Sequence, residues 1–168
     1  MKKTLSISVF NETGVLTRIS TVISSRGFNV ESIAVGPTEK EGISRITVVI
    51  PGTPHMIQQI SKQLNKLVQV IEVKDVTDKP CVERELMLVK VKASELNRSQ
   101  IMEIAQIFRS RIVDVSDKSI TLEITGDPGK TLTITQLLDN YEILEIVRSG
   151  KIAMEREFGI NTEYLKNL

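Results

Sequence analysis

The chain has 168 residues, 22 lysines and arginines against 21 aspartates and glutamates, one histidine, one cysteine and no tryptophan. That length holds one domain or two small ones, and so balanced a charge argues against a nucleic-acid binder held by phosphate contacts. A lone Cys81 and a lone His55 exclude an internal disulfide, a Cys/His metal cluster and the usual hydrolytic triads, so the chain is poor in catalytic groups.

Leu5, Ile7 and Val9 alternate with Ser6 and Ser8, which predicts a half-buried strand. Asn11-Glu12-Thr13-Gly14 then interrupts with turn chemistry. From Val15 the period becomes helical, with Leu16, Ile19, Val22 and Ile23 on one face and Gly27 as a stop. Phe28 to Val35 reads as a second strand ended by Gly36-Pro37, and Ser44 to Ile50 as a third ended by Pro51-Gly52. Thr53 is an N-cap followed by proline at the first helical position, and Ile57, Ile60, Leu64 and Leu67 carry helical spacing. Val68 to Val76 supplies a fourth strand. The order β-α-β-β-α-β within about 75 residues is the split ferredoxin-like arrangement, two helices on one face of an antiparallel sheet.

Thr77-Asp78-Lys79-Pro80 is a polar joint, placing the domains at 4–78 and 79–168. Beyond it come a strand from Glu85 to Val91, a helix from Ser99 to Arg109, strands Arg111 to Val115 and Ser119 to Ile124, a turn Gly126-Asp127-Pro128-Gly129, a helix from Lys130 to Asn140 and a strand from Tyr141 to Val147. From about residue 150 a polar, helix-permissive tail follows. Setting Leu16 against Ile101, an offset of 85, places Ile19 on Ile104, Val22 on Ile107, Ile23 on Phe108 and Val30 on Val115. The second half therefore repeats the fold of the first. The turn does not recur: Asn11, Thr13 and Gly14 fall opposite Leu96, Arg98 and Ser99. A repeat that keeps its core and drops one loop gives that loop a task beyond folding.

The Asn11–Leu16 segment joins a strand to a helix N-terminus, where free backbone N–H groups and the positive end of the helix dipole can hold an anion. Glycine permits close backbone approach, and an asparagine amide both donates and accepts. Two readings stand: a plain loop and cap, or a pocket for a small carboxylate. Asn29, just past Gly27, is either a turn residue or a second polar group for the same ligand. Gly129-Lys130-Thr131 looks like the end of a phosphate loop, but Ile124 occupies the position where that motif needs glycine, so a turn and helix start is the reading. No pair of carboxylates has a spacing that assigns acid and base roles. No segment has the apolar run of a signal peptide or membrane helix, and the basic start lacks transit-peptide composition, so the expectation is a protein that stays where it is made.

Longer stretches carry a resemblance. Phe10-Asn11-Glu12-Thr13-Gly14-Val15-Leu16, Arg26-Gly27-Phe28-Asn29-Val30-Glu31-Ser32, Val35-Gly36-Pro37-Thr38, Ser44-Arg45-Ile46-Thr47, Lys62 to Val68, Val82 to Lys90 and Arg148-Ser149-Gly150 resemble, in order, the small regulatory subunit family of acetohydroxyacid (acetolactate) synthase. The Gly126–Lys130 turn and the ending Gly159-Ile160-Asn161-Thr162-Glu163 resemble its cyanobacterial and algal-plastid branch. The resemblance implies an α+β fold of two ferredoxin-like βαββαβ domains, an N-terminal ACT domain and a C-terminal ACT-like domain. It implies a homodimer through the ACT domains, with a branched-chain amino acid, usually valine, between them. The effector residues so implied are Asn11, Gly14, Val15 and Leu16 from one subunit and Asn29 and Val30 from the other. It further implies no catalysis, no cofactor and no metal on this chain. The partner is a catalytic subunit carrying thiamine diphosphate, Mg²⁺ and FAD, which this chain activates and makes sensitive to feedback. The expected setting is a bacterial cytoplasm or a plastid stroma. An ACT protein sensing an amino acid for a different metabolic enzyme is the alternative.

Overall fold

Residues 1–157 are described by the structure, a computed structural model. The first half folds as β1 (Lys2–Phe10), α1 (Val15–Ser24), β2 (Ser32–Pro37), β3 (Ile43–Pro51), α2 (Pro54–Leu64) and β4 (Val70–Asp75). The sheet order is β2-β3-β1-β4, every neighbouring pair antiparallel. The second half repeats it as β5 (Cys81–Lys92), α3 (Arg98–Ile107), β6 (Arg111–Val115), β7 (Ser119–Gly126), α4 (Pro128–Leu138) and β8 (Ile143–Arg148), in the order β6-β7-β5-β8. Both are ferredoxin-like modules, as the element order predicts.

Register explains why each core closes. Leu5 sits opposite Val48 and Ile7 opposite Ile46, so the apolar sides of β1 and β3 coincide and are fully buried. Ile19 and Ile23 of α1 and Ile57, Ile60 and Leu64 of α2 complete that cluster. In the second unit Met87, Val89 and Val91 pack with Ile120, Leu122, Ile124, Ile101, Ile134 and Leu138. Truncating one such residue to alanine costs roughly 2–5 kcal/mol. Thr53 begins α2 as predicted, its hydroxyl accepting from Met56 N–H at 3.4 Å with Pro54 at the first position. Asp127 does the same for α4, accepting from Lys130 N–H at 2.8 Å.

Three expectations are corrected. Leu16 is 41% exposed, and the buried stripe of α1 is Val15, Ile19 and Ile23. The helical repeat is accordingly one residue out of phase with the offset of 85, because Val15 and Ile19 match the buried Ile101 and Ala105. β2 starts at Ser32 rather than Phe28: Phe28 and Val30 keep the alternation only because both pack against the core. The tail is not helical throughout. Ile152–Glu155 form a strand, β9, that pairs with β5.

The chain passes from the first compact unit to the second at Val82–Glu83, past the expected 78/79 boundary, and residues 151–157 belong to the first unit rather than to the second. Backbone bonds hold them there: Lys151 N–H donates to Ser32 Oγ at 2.9 Å and Arg156 N–H to Pro80 O at 2.8 Å. The rest of the tail, 158–168, lies outside the described residues. The joint is fastened by the buried Lys3, whose ammonium donates to Asp78 at 2.9 Å, and by Thr77, whose hydroxyl accepts from Thr4 N–H at 2.9 Å.

Lys79 Nζ donates to Glu155 Oε1 at 2.9 Å, closing β9 onto the joint. That bond holds the Glu155 carboxyl below its usual range and raises the Lys79 ammonium. A depressed carboxyl contributes stability that is present above its unfolded pKa and lost as pH falls through the folded one; the raised amine contributes below its unfolded pKa and loses it as pH rises through the folded one. A side-chain carboxyl titration by NMR is expected to place Glu155 below an ordinary glutamate, and Lys79→Met to move it upward. An unmoved midpoint would contradict the pairing.

Candidate functional site

Glycine is required where β1 turns into α1. Gly14 has φ 83° and ψ 0°, the left-handed region that side chains with a β-carbon rarely adopt, and it occupies the N-cap of α1. No side chain caps that helix. Val15 N–H is taken by Glu12 O at 3.3 Å, and the helical ladder opens with Arg18 N–H to Gly14 O at 3.0 Å. The N–H groups of Leu16 and Thr17 therefore point off the end of the helix, at its positive pole. A β-carbon at Gly14 would meet nothing within 4 Å, so the space beside the cap is open.

The loop is held at its base rather than its tip. Phe10 N–H donates to Gln69 O at 2.8 Å and Asn11 N–H to Gly42 O at 2.8 Å. Gly42 has φ 75° in the turn between β2 and β3. Sequence reading did not pick out Gly42 or Thr17; a glycine in the charged Thr38–Gly42 turn was the available signal. The Asn11 side chain is left exposed, as are Gly14 and Leu16. Val15 is buried in the core, so its side chain is committed to packing.

Asn29 is exposed and Val30 half-buried against the core, both in the stretch between α1 and β2. That stretch follows the C-terminal end of α1, whereas Asn11 to Leu16 surround its N-terminal end. A ten-residue helix is about 15 Å long at about 1.5 Å per residue. One copy of the chain thus brings Asn11, Gly14, Val15 and Leu16 together and keeps Asn29 and Val30 away from them.

The remaining sequence candidates resolve into local structure. Lys130 donates to Thr125 O at 2.8 Å and Thr131 packs as a buried helix residue, its hydroxyl bonded to Pro128 O at 3.1 Å. His55 is exposed and bonds Gln59 one turn along α2 at 3.0 Å. Arg148 grips Glu85 through two bonds of 2.9 and 2.6 Å across β5 and β8, which raises its pKa further. Among the described residues no group of three His, Cys, Asp or Glu side chains could hold a metal ion, and no helix is long and apolar enough to cross a membrane.

Comparison with known proteins bears on both units. Residues 5–72 match a family model described as an AHAS small subunit-like ACT domain, and residues 84–157 match one described as the small subunit of acetolactate synthase. A probable acetolactate synthase small subunit of Archaeoglobus fulgidus is 45% identical over 156 residues, covering 93% of this chain and 98% of that protein. The small subunit of Aquifex aeolicus is 44% identical over 163 residues, covering 96% and 85%. The chloroplastic small subunit 2 of Arabidopsis thaliana is 48% identical over 163 residues; this chain spans 34% of its length. The crystal structure of the acetolactate synthase small subunit from Thermotoga maritima superposes with a TM-score of 0.84 at 36% identity, covering 95% of this chain and 99% of that one.

Because Gly14 has room but an unfavourable φ for other residues, Gly14→Ala is expected to cost about 1–2 kcal/mol, and Gly14→Asn less, since asparagine visits this region more readily. Urea unfolding at constant m-value measures both. Equal midpoints for the wild type and Gly14→Ala would contradict the loop geometry.

Proposed function

The chain belongs to the acetolactate synthase small-subunit family, and from that premise we propose that it is the regulatory partner of a catalytic subunit, raising its activity and conferring feedback inhibition by valine. The chemistry then resides on the catalytic chain, which carries thiamine diphosphate, Mg²⁺ and FAD and joins two pyruvates to 2-acetolactate with loss of CO₂. The observation that carries the reading is the geometry around α1. Leu16 and Thr17 offer unengaged N–H groups at one end, and Asn29 stands at the other.

Two copies related by a two-fold axis would unite those ends. β2 is an edge strand whose only strand partner among the described residues is β3. It carries no charge, and its Ile33 and Val35 are 37% and 51% exposed on the helix side of the sheet. The other edge of the same sheet, β4, carries Glu72, Lys74 and Asp75, the usual protection against edge-to-edge pairing. Pairing β2 with its own copy would be isologous, and α1, which crosses over toward β2, would meet its counterpart running the opposite way. The N-terminus of one α1 would then face the stretch beyond the C-terminus of the other.

In that arrangement valine's carboxylate accepts from the Leu16 and Thr17 N–H groups. Its ammonium is held by backbone carbonyls or the amides of Asn11 and the partner copy's Asn29, and its isopropyl group packs on exposed apolar residues such as Leu16. A ligand seated between two copies stabilises one arrangement of the pair. It shifts the holoenzyme only by its difference in affinity between states, typically about 1–3 kcal/mol.

Gly14→Asp would place a carboxylate in front of the same N–H groups, and aspartate tolerates the backbone geometry. Holoenzyme reconstituted with Gly14→Asp is expected to keep its activation and lose valine inhibition; a normal valine titration would overturn the site. Val35→Lys puts a charge on the proposed edge and is expected to yield monomers by sedimentation. A dimer unaffected by it would mean that another surface pairs.

A further inference from the structure

The stretch Arg148-Ser149-Gly150 ends β8, and each of its residues is held differently. Arg148 keeps its two bonds to Glu85. Ser149 is clasped to Leu86 in both directions, its N–H donating to Leu86 O at 3.0 Å and its Oγ accepting from Leu86 N–H at 3.1 Å. Gly150 then turns at φ 88°, in the left-handed region, and with Lys151 the chain passes back into the first unit. There the Lys151 N–H donates to Ser32 Oγ at 2.9 Å, across 119 residues of sequence.

Ser32 is the first residue of β2 and lies three residues past Asn29. The path from α1 to β2 is set by few bonds. Gly27, at φ 74°, donates to Ser24 O at 2.9 Å, and Phe28 and Val30 pack on the core. Glu31 N–H donates to Val49 O at 2.9 Å, and the Glu31 carboxylate meets Lys2 at 2.7 Å. That ion pair lies at the surface, where such pairs contribute little. Ser32 Oγ is what ties this path to the returning segment. Side chains alternate along a strand, so Ser32 projects to the face of β2 opposite Ile33 and Val35. The returning segment therefore reaches β2 from the side away from the residues proposed to pair.

We propose that Ser32 is a positioning residue for the response to valine, holding the Asn29–Val30 stretch to the segment that returns at Gly150–Lys151. This role rests on the valine site proposed above, to which Asn29 contributes and which Ser32 does not itself touch. A ligand that fixes Asn29 and Val30 restrains Ser32 and so favours the bonded arrangement at Lys151. By linkage, a returning segment held in place favours the ligand to the same degree. β8 runs covalently into that segment through Gly150, so occupancy at the head of β2 is coupled to the point where the chain leaves the second unit. One N–H to hydroxyl bond is modest in net terms, so its loss changes the response severalfold rather than abolishing it.

Valine titration of holoenzyme reconstituted with Ser32→Ala tests this. The valine concentration for half-inhibition is expected to rise about fivefold, with activation of the catalytic subunit and the sedimenting species unchanged. Ser32→Thr keeps an accepting hydroxyl and is expected to stay within about twofold of the wild type. Gly150→Ala, which strains the turn at φ 88°, is expected to move the midpoint in the same direction. The double variant is expected to show less than the sum of the two effects, since both loosen one link. Wild-type holoenzyme indifferent to valine would remove the parent reading and this role with it. Inhibition present in the wild type but unshifted by Ser32→Ala would overturn the role of Ser32 alone. So would a threonine variant as impaired as alanine, fully additive effects, or a parallel loss of activation.

Discussion

The length of α1 is the constraint on which the functional reading turns. The helix is ten residues, about 15 Å, long, with the open N–H groups of Leu16 and Thr17 in its first turn and Asn29 five residues past its end, so the two lie toward opposite ends of it. The helix cannot shorten, because Val15, Ile19 and Ile23 are all buried in the core. Nor can its start migrate: Gly14 is the residue that tolerates the left-handed turn, and Asn11 is pinned to Gly42 behind it. A ligand contacting both ends must therefore take one end from each of two copies, and that requirement would make such a ligand a sensor of assembly.

The second unit sharpens the point by being built alike and ending differently. In both units the first strand slips register against the last at the same place, between Ser8 and Val9 in β1 and between Lys90 and Val91 in β5, and both valines are fully buried. The loops that follow diverge. Asn97 heads α3 without a positive φ, and its amide oxygen accepts from Ser94 N–H at 2.7 Å while Arg98 N–H returns to Ser94 O at 3.0 Å. Both helices leave their second and third N–H groups without a partner among the described residues, Leu16 and Thr17 in α1 and Ser99 and Gln100 in α3; what differs is the cap, a left-handed Gly14 with open space beside it against Asn97, whose side chain is tied back to Ser94. Two units with equivalent cores thus differ at the feature proposed to bind.

Much of this was legible in the sequence, because the same residues that punctuate the chain also cap and turn it. Thr53-Pro54 begins α2 where expected, and the alternation of Leu5, Ile7 and Val9 fixes both strand and buried face. Where the reading slipped, tertiary packing decided between local patterns of equal merit. Val15 and Leu16 stand equally well with Ile19 at helical spacing, and only the sheet beneath settles which one is inside. Phe28 and Val30 alternate as a strand does, though what they obey is packing into the core. β9 left little trace, since four residues with one pairing partner and no counterpart in the repeat carry almost no periodicity.

Edge strands show what the molecule protects. β4 carries Glu72, Lys74 and Asp75, β6 carries Arg111 and Asp114, and β8 carries Glu145 and Arg148. Charges along an unpaired edge oppose indiscriminate strand addition, and these strands follow that rule. β2, with the sequence Ser-Ile-Ala-Val-Gly-Pro, has no charge and leaves two β-branched side chains exposed. In a chain with 22 cationic and 21 anionic side chains to distribute, an uncharged edge of this kind is a hazard unless something covers it. In the proposed pairing a second copy of the same strand would cover it, and by self-complementarity the coverage would stop at two. The feature that would make the isolated chain prone to association is then the one that assembles the proposed effector site, which links the scarcity of catalytic side chains to a function exercised through contact.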